Sequence, residues 1–379
     1  MTETFFGVPY RFLHKPPINF KITDDYDADL FQVYKSGTYC VLLNATLPRF
    51  DLSIMKAAID AGANYVDMAP GPPYVTDEQL AQDENWKKAG LTALINTGIS
   101  PGVTNVLIAR AADQLDSVEE IFIRSASRIL PGTRVYEDKE LFLETWSPET
   151  MWLDFAESPV IFENGKWKIA SLFSGEEVYT FPEPFGPYTV VYHAHEEVYS
   201  VPRFIKGVKK MNMKVGWQPA LFMAKAVMEF GLLSDKPIEV RGAKVAPRDV
   251  FLKLVKPIPT TNELVKKIEA NALLETIGMT VVEVKGKKDG AETTYKYFSA
   301  TPPITLCEAY KKYGRSFLER PGIVGISCAI FAHMLGDGRI RTKGVVPPEG
   351  LARTEREVFL NELAERGFVY KELVERNRL

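Results

Sequence analysis

The stretch from residue 39 to residue 105 most constrains the fold, because short apolar runs alternate there with a helical pattern. Residues 39–45 form an apolar run that is too short for a membrane span and has the polar Asn44 near its end, as a buried parallel strand does. Apolar residues between positions 52 and 59 recur at spacings of three and four, which predicts an amphipathic helix. This alternation predicts right-handed crossover units, and therefore an α/β protein with a parallel sheet.

The remaining elements of this stretch follow the same order. Asp51 is placed to cap the first helix, and Gly62 can adopt the left-handed conformation that ends it. Residues 64–68 and 91–97 are predicted to be the next two strands, with a helix over residues 79–88 between them. Three parallel strands thus direct their carboxyl ends to one edge of the sheet.

The third predicted strand leads into a turn that contains two glycines. Residues 98–102 let the backbone turn tightly and approach a ligand. The amides of residues 103–105 are expected to be free at the start of a helix, where anions bind. In open α/β sheets the ligand lies beyond the carboxyl ends of the strands, so we expect Asn44 and Asp67 to converge with this turn on one crevice.

After residue 117 the pattern changes to strands separated by turn signals. Asn164-Gly165 lies between two apolar arms and predicts a two-residue β-hairpin. Residues 210–217 carry apolar side chains at alternate positions, which predicts a strand with one buried face. Residues 281–285 are expected to pair with residues 293–298.

We expect two domains in this chain of 379 residues. The first comprises residues 1–116, with residues 318–379 returning to it and residues 322–335 forming the returning helix. The second comprises residues 117–317 and is an α+β domain with a mainly antiparallel sheet.

Charge and cysteine content narrow the functional class. A net charge of -3 without a long basic run gives no support for nucleic acid or an anionic membrane as a partner, so a small molecule is expected. No apolar stretch has the length of a membrane helix. Cys40, Cys307 and Cys328 lack metal-type spacing, which predicts buried, reduced thiols in a cytoplasmic protein.

Several motifs resemble the saccharopine dehydrogenase family. They are Asn44-Ala45 with Pro48 after the first strand, Tyr65-Val66-Asp67, and the turn Gly98-x-x-Pro101-Gly102 with Asn105. Residues 245–249 and the ending over residues 322–367 are most similar to its lysine 6-dehydrogenase branch. The resemblance covers roughly residues 18–370 as loose spacings.

The resemblance implies an incomplete Rossmann-type parallel sheet that binds NAD or NADP, an inserted α+β domain that binds an amino-acid substrate, a homodimer and a returning carboxyl-terminal helix. It implies hydride transfer at the amine carbon of an amino acid, with the cofactor supplying the hydride chemistry. The cofactor would be held by Asn44, Ala45, Pro48, Asp67, Gly98, Pro101 and Gly102. The substrate carboxylate would be bound by Asn105 and Arg203, and the catalytic candidates are Asp67 and Tyr74.

Each candidate also has a simpler interpretation. Asp67 can cap the next turn, Asn105 can satisfy its own helix end, and Arg203 can form a surface ion pair. His193 and His195 lie two positions apart on a predicted strand, where two imidazoles can bind a metal ion, but no further ligand follows at a diagnostic spacing. We therefore interpret this pair as a polar rim and assign no metal.

One departure from the family pattern concerns the phosphate-binding turn. A dinucleotide fold begins with a strand and Gly-x-Gly-x-x-Gly into a helix, followed by a second strand that ends in an acidic residue. Residues 1–18 contain a single glycine and three prolines before residues 19–22 can form a strand. Two explanations stay open: the encoded start lies downstream of the true one, or the protein is a relative that has lost its pyrophosphate cradle. The second would favour a non-catalytic relative that serves as an oligomeric or ligand-binding scaffold.

Overall fold

The computed structural model describes residues 41–68, 71, 73–131, 133, 139–140, 143, 146–319 and 322–377. The strand expected at residues 19–22 and Cys40 lie outside these described residues. The two main sheets are a parallel sheet and a larger mixed sheet, which confirms the predicted fold class.

Four parallel strands form the smaller sheet. In sheet order they are β1 (Val41–Asn44), β2 (Asn64–Asp67), β3 (Thr92–Leu94) and β14 (Gly344–Val346). The helices that connect the first three strands are α1 (Asp51–Asp60), α2 (Pro73–Leu80) and α3 (Asp83–Lys88). The three predicted strands are thus confirmed, and β14 adds a strand from late in the chain.

Local details of this region differ from expectation. The single helix predicted over residues 79–88 is divided between two helices, since α2 ends at Leu80 and α3 begins at Asp83. The Asp83 carboxylate accepts a hydrogen bond from the Val345 amide of β14 (3.0 Å). The third strand, β3, is shorter than predicted. Asp51 does not cap α1, since it lies buried as the first residue of the helix and no side-chain hydrogen bond caps that end. Gly62 has a φ of 70°, which confirms the left-handed conformation after the helix.

The larger sheet has nine strands. In sheet order its main strands are β15 (Tyr370–Asn377), β13 (Ala291–Ser299), β12 (Thr276–Lys288), β4 (Ser117–Ile129), β9 (Lys210–Trp217), β5 (Val160–Glu163) and β6 (Lys166–Ile169). A hairpin of β7 (Glu177–Phe181) and β8 (Gly186–Tyr192) joins this sheet where β8 pairs with β9. Strands β4 and β9 are parallel, and the other pairs are antiparallel.

Helices surround these sheets. The remaining ones are α4 (Val103–Ala112), α5 (Pro148–Ala156), α6 (Glu197–Phe204), α7 (Ala220–Glu229), α8 (Pro247–Leu254), α9 (Thr261–Glu269), α10 (Leu306–Tyr313), α11 (Arg315–Glu319), α12 (Ile323–Gly336) and α13 (Arg353–Glu365). A separate ribbon consists of β10 (Ile238–Val240) and β11 (Ala243–Val245). The predicted returning helix is confirmed as α12. Within the described ranges, no helix has both the length and the apolar character that a membrane span requires.

Most expectations for the larger sheet are confirmed. The hairpin at Asn164-Gly165 is present with both residues at positive φ, and β12 pairs with β13. The predicted apolar face of β9 is buried, with Met213 in the main core, but the other face is buried as well. Asn212 and Lys214 lie on that second face, where Lys214 pairs with Glu177 of β7. The last strand, β15, extends the larger sheet, although we assigned this part of the chain to the first domain. The domain division itself stays a prediction.

The smaller sheet is packed on both faces. Tyr65 faces α1 and α3, where Met55 and Trp86 are fully buried. Val66, on the opposite face of β2, belongs to the main core that α4, α12 and the larger sheet share. Cys328 of α12 lies in that core as a free thiol, and Cys307 is also free and buried. The two sheets therefore share one core.

Candidate functional site

Asn44 and Asp67 end the first two strands side by side. They are directly paired in the parallel register of β1 and β2. The Asn44 amide donates to Asp51 Oδ1 (2.7 Å) and to the Tyr65 hydroxyl (3.0 Å). All four side chains are buried. Asn44 and Asp67 therefore come together as predicted, and Asp51 joins them as an acceptor rather than as a helix cap.

Asp67 ties neighbouring strand ends together. Its Oδ1 accepts from the Asn96 backbone amide (2.9 Å), and its Oδ2 accepts from the Gln79 side chain (2.7 Å). Burial raises the pKa of the Asp67 carboxyl to about 6, although these hydrogen bonds oppose the rise. Both carboxyl oxygens are occupied within the protein, which supports the interpretation that Asp67 fixes the strand ends.

Asn96 follows β3 and has unusual geometry. Its φ is 64°, which is uncommon outside glycine, and neither polar atom of its buried side-chain amide has a hydrogen-bond partner among the described residues. Ser327 Oγ of α12 is likewise buried and unpartnered there. The next residue, Cys328, contacts the hydroxyl of Thr97. Because buried polar atoms normally find partners, Asn96 and Ser327 are candidates for contact with a polar ligand, and the sequence alone did not point to them.

The glycine turn before α4 is as tight as predicted, but two of its amides are not free. Gly102 has a φ of 133°, and a Cβ at this position would lie 2.0 Å from the Gly98 carbonyl oxygen. The Val103 amide donates to the Gly98 carbonyl (3.2 Å), and the Thr104 amide donates to the Ile99 carbonyl (3.0 Å). The expectation of free amides is therefore wrong at these positions, because the turn folds back onto the helix start.

Asn105 connects this turn to Glu349, which follows β14. Its Oδ1 accepts from the Gly102 amide (2.7 Å), and its Nδ2 donates to Glu349 (2.9 Å). Glu349 also accepts from the Ser200 hydroxyl (2.6 Å), and burial raises its pKa to about 7. Asn105 is thus engaged by the protein through both polar atoms, which supports the simpler interpretation that it satisfies its own helix end.

A histidine–glutamate pair faces the same turn. Glu197 Oε1 accepts from the hydroxyls of Ser100 and Thr104 (both 2.6 Å), and its Oε2 contacts His195 Nδ1. Burial alone would lower the pKa of His195, but the charges of Glu197 and Glu196 outweigh it and raise the pKa to about 9. His195 is therefore protonated at neutral pH. Burial would raise the pKa of Glu197, but the charge of His195 and the hydrogen bonds outweigh it and lower the pKa.

The sequence signal for His195 was the His-x-His spacing, and the expectation that both histidines form a polar rim on a strand face was wrong. The assignment of no metal stays a prediction. Both histidines follow β8 rather than lying on its face. His193 packs on Trp217 (5.0 Å between ring centres), and burial lowers its pKa to about 3. The partners of His195 are the two residues that follow it, Glu196 and Glu197. The three offer ligand atoms within 4.8 Å of one another, a spacing that suits a metal ion, but the His195 contact with Glu197 already forms an ion pair.

These side chains belong to one group of interacting carboxyls, which we call the acidic cleft. Its members are Asp51, Asp67, Asp154, Glu196, Glu197 and Glu349. Burial and the neighbouring carboxylate of Asp67 raise the pKa of Asp51 to about 9. Burial and Glu197 raise the pKa of Glu196 against the charge of His195. Among the residues described, His195 is the one basic side chain in ion-pair contact with the cleft, so the arrangement favours a cationic ligand.

Arg203 is placed differently from the candidates at the strand ends. Its Nη2 pairs with Asp77 Oδ1 (2.6 Å), and its guanidinium lies over the rings of Trp167 (4.9 Å) and Tyr199 (4.8 Å). These contacts agree with the simpler interpretation that Arg203 forms an ion pair. None of them involves a residue of the acidic cleft.

The remaining candidates lie around the strand ends. Ala45 is exposed just after β1, and Pro48 packs so closely on Gly71 that a Cβ there would lie 2.8 Å from it. Pro101 is buried within the glycine turn. Tyr74 lies in α2, and its side chain is outside the described part of the chain. The roles assigned to these residues stay predictions.

Two family models match the chain. The saccharopine dehydrogenase C-terminal domain matches residues 98–368, and the saccharopine dehydrogenase NADP binding domain matches residues 17–94. The glycine turn is the first feature of the C-terminal match.

Curated relatives match over much of the chain. It is 27% identical over 364 residues to the carboxyaminopropylagmatine dehydrogenase of Synechocystis, which covers 93% of this chain and 82% of that protein. It is 29% identical over 280 residues to the carboxynorspermidine synthase of Vibrio alginolyticus, which covers 71% of this chain and 63% of that protein. The chain therefore spans less than two thirds of the length of the second relative.

Two solved structures have a similar fold. Apo saccharopine dehydrogenase (L-Glu forming) from Saccharomyces cerevisiae matches with a TM-score of 0.58 and 17% identity over 94% of this chain and 88% of that one. Homospermidine synthase from Legionella pneumophila, in complex with NAD, matches with a TM-score of 0.59 and 14% identity over 95% and 81% of the two chains. At these identities the likeness concerns the fold alone.

Proposed function

Because this chain belongs to the saccharopine dehydrogenase family, we propose that it is an NAD(P)-dependent dehydrogenase that acts on a carboxylated polyamine precursor. The matched NADP-binding domain identifies NAD or NADP as the cofactor, as predicted. The substrate class rests on the two curated relatives, whose names refer to carboxylated polyamine compounds. These relatives give no support to the lysine-type substrate that the sequence led us to expect.

The acidic cleft is the observation that carries the substrate proposal. A polyamine presents several ammonium groups along a flexible chain, and a buried carboxylate without a cation is costly. Burial and mutual repulsion keep Asp51 protonated at neutral pH, whereas a bound ammonium group would favour its ionised form. The cleft therefore suits an amine-rich substrate better than a substrate with several carboxylates.

The nicotinamide end of the cofactor fits the unpaired polar atoms at the strand ends. The Asn96 amide offers a donor and an acceptor, and the Ser327 hydroxyl offers another donor, which is what a carboxamide requires. Asn96 follows β3 at the carboxyl edge of the parallel sheet, where dinucleotides bind in such folds. When bound, the nicotinamide supplies or accepts the hydride.

We assign proton handling to His195 and Glu197. Oxidation of an amine to an imine releases a proton, and the reverse reaction consumes one. His195 Nδ1 is held by Glu197, which leaves Nε2 of the protonated imidazole as the nitrogen that can donate a proton to the substrate during imine reduction. The hydroxyls of Ser100 and Thr104 fix Glu197, so the imidazole is oriented by groups from the glycine turn and α4.

A turnover assay tests the proposal. The purified chain is mixed with carboxynorspermidine or carboxyaminopropylagmatine and with NADP+ or NAD+, and the near-ultraviolet absorbance of the reduced nicotinamide is followed. We expect turnover with at least one polyamine substrate and none with lysine or saccharopine. Turnover with lysine or saccharopine alone would contradict the substrate class. Cofactor binding without turnover of any of the four would favour the non-catalytic scaffold.

We also propose that the chain assembles as a homodimer, as its family resemblance implies. Sedimentation equilibrium measures this directly, and a monomer at micromolar concentration would contradict it.

A further inference from the structure

A polar cavity lies on the face of the larger sheet that is turned away from the main core. Its volume is about 420 Å³, and we call it the basic pocket. Its charged lining residues are Arg124, Lys210, Lys214, Lys285, Lys296, Glu177 and Glu283. Five basic side chains therefore line one small cavity together with two carboxylates.

The basic pocket is separate from the acidic cleft because strand side chains alternate between two faces. On β4, Ile123 faces the main core and Arg124 faces the pocket. On β9, Met213 and Lys214 alternate in the same way. The β7–β8 hairpin contributes a further wall, which includes Glu177. None of the lining residues belongs to the acidic cleft.

Buried polar side chains form the floor of the pocket. Arg124 is 4% exposed, Asn212 is 2% exposed and Lys214 is 7% exposed. Arg124 Nη1 donates to Asn212 Oδ1 (2.9 Å), and its Nη2 pairs with Glu177 (3.1 Å). Glu177 also pairs with Lys214 (2.6 Å). Two buried cations thus share one carboxylate, and one positive charge on the floor is left without a counter-charge.

The opposite wall carries two further lysines, and both have carboxylate partners. Lys285 and Lys296 both pair with Glu283 (3.0 and 3.7 Å), and Lys296 also pairs with Glu375 (3.0 Å). Lys210 has no carboxylate within ion-pair distance in the described ranges. Five cations therefore line the pocket together with two carboxylates, and Glu375 pairs with Lys296 from outside the lining.

We propose that the basic pocket binds a small anion that carries at least two phosphate or carboxylate groups. A guanidinium presents forked donors that match an oxyanion, and the lysines supply further charge-assisted hydrogen bonds. A cavity of this size admits a small molecule, and its preset floor lowers the entropy cost of binding. The site is independent of the proposed dehydrogenase reaction, since it shares no residue with the acidic cleft.

Calorimetric titration of the full chain tests this proposal with three probes. Inorganic pyrophosphate, citrate and ATP are titrated separately, each in the presence of saturating NADP+ so that the cofactor site is filled. We expect saturable binding of at least one probe with one site per chain. Binding of pyrophosphate or ATP identifies a phosphate ligand, and binding of citrate alone identifies a polycarboxylate.

Two adjacent lysines provide a matched pair of variants. Lys210→Ala removes the pocket lysine that has no carboxylate partner, whereas Lys209→Ala removes an exposed lysine that pairs with Glu119 outside the pocket. We expect Lys210→Ala to weaken binding about tenfold and Lys209→Ala to leave it unchanged.

Three results would overturn the proposal. They are the lack of saturable binding for all three probes, equal weakening in the two lysine variants, and binding that occurs only when NADP+ is left out, which would place the probe in the cofactor site. A sedimentation measurement of the Lys210→Ala variant can give a fourth contradicting result. If Lys210→Ala dissociates a dimer and no probe binds, the face belongs to a second copy of the chain and not to a small anion.

Discussion

The acidic cleft and the basic pocket lie on different sides of the larger sheet, and they compensate buried charge in opposite ways. In the basic pocket Glu177 lies between Lys214 and Arg124. Burial alone would raise the pKa of Glu177, but the two cations outweigh it and lower the pKa. In the acidic cleft Asp51 contacts no cation in the described structure, and burial and Asp67 raise its pKa to about 9.

This difference separates charges that stabilise the fold from charges that can respond to a ligand. A carboxylate between two cations is compensated within the folded protein, and removing it leaves buried cations unpaired. A carboxyl that avoids charge by keeping its proton has no such role, and it ionises when a cation binds nearby. The two regions should therefore respond differently to the same acid-to-amide substitution.

The largest expected effect concerns the histidine pair of the acidic cleft. Glu197→Gln keeps the shape of the side chain but removes the charge that raises the pKa of His195, so His195 loses its proton nearer to neutral pH. We expect kcat for imine reduction, the direction that consumes a proton, to fall about a thousandfold, the range of general acid–base catalysis, when the loss of reduced-nicotinamide absorbance is followed.

Glu163→Gln is the matched control, because Glu163 is a partly exposed acid that pairs with Lys168 away from the cleft. This control should keep wild-type kcat. Unchanged kcat in the Glu197 variant would show that the pair carries no proton for the reaction.

The next largest effect concerns the glycine turn that brings Ser100 and Thr104 to Glu197. We expect Gly102→Ala to lower the free energy of unfolding by about 3 kcal/mol, because a Cβ would collide with the Gly98 carbonyl and φ is 133°. Urea unfolding followed by circular dichroism measures this change.

Gly62→Ala is the control for the positive φ alone. Gly62 has a φ of 70°, and a Cβ there would meet nothing within 4 Å. We expect a cost of about 1 kcal/mol. Equal costs for the two alanine variants would mean that the turn has room to relax, and that the contact with the Gly98 carbonyl does not fix its shape.

The parallel sheet could be predicted from the sequence because strand periodicity is a local pattern. The convergence of Asn44 with Asp67 could be predicted because ligand sites in open α/β sheets generally lie at the carboxyl ends of the strands. The partners of Glu197 could not, since Thr104 is 93 positions away in the chain and the pKa of His195 depends on burial. The basic pocket was also missed, because its residues come from several strands whose register no local pattern determines. Asn96 was overlooked because its unpaired amide is visible only in three dimensions.

An acid-to-amide substitution in the basic pocket should destabilise the protein. Glu177→Gln leaves Arg124 and Lys214 buried without their carboxylate, and we expect the free energy of unfolding to fall by about 2 kcal/mol at neutral pH. The lowered pKa of Glu177 means that the wild-type advantage is present above the ordinary pKa of 4.5 and is lost as the pH falls through the folded value. Urea unfolding at several pH values measures both effects.

Asp60→Asn serves as the control for this substitution. Asp60 forms an exposed ion pair with Lys56, and such pairs contribute less than about 1 kcal/mol. If Glu177→Gln costs no more than this control, the two buried cations find other compensation, and the contrast with the acidic cleft is weaker than the ion pairs suggest.

The same substitution in the acidic cleft should act in the opposite direction and by a smaller amount. The pKa of Asp51 is raised from 3.8 to about 9 on folding, so between these values the folded chain keeps a proton that the unfolded chain releases. Wild-type stability therefore falls as the pH rises through this window. Asparagine does not titrate, and its Oδ1 can still accept from the Asn44 amide. The full shift corresponds to several kcal/mol at about pH 8, and the buried amide of asparagine offsets a large part of it. We therefore expect Asp51→Asn to be about 1 kcal/mol more stable than wild type at about pH 8 and less stable than wild type at about pH 4.

Urea unfolding at these two pH values measures the sign of the change as well as its size. The amide nitrogen that replaces Oδ2 would be buried at a position without a hydrogen-bond partner, which offsets part of the gain. If Asp51→Asn is less stable than wild type at the higher pH, the Asp51 carboxylate is ionised and compensated in the folded protein. The cleft would then already contain its counter-charge, and its suitability for an amine-rich substrate would lose its physical basis.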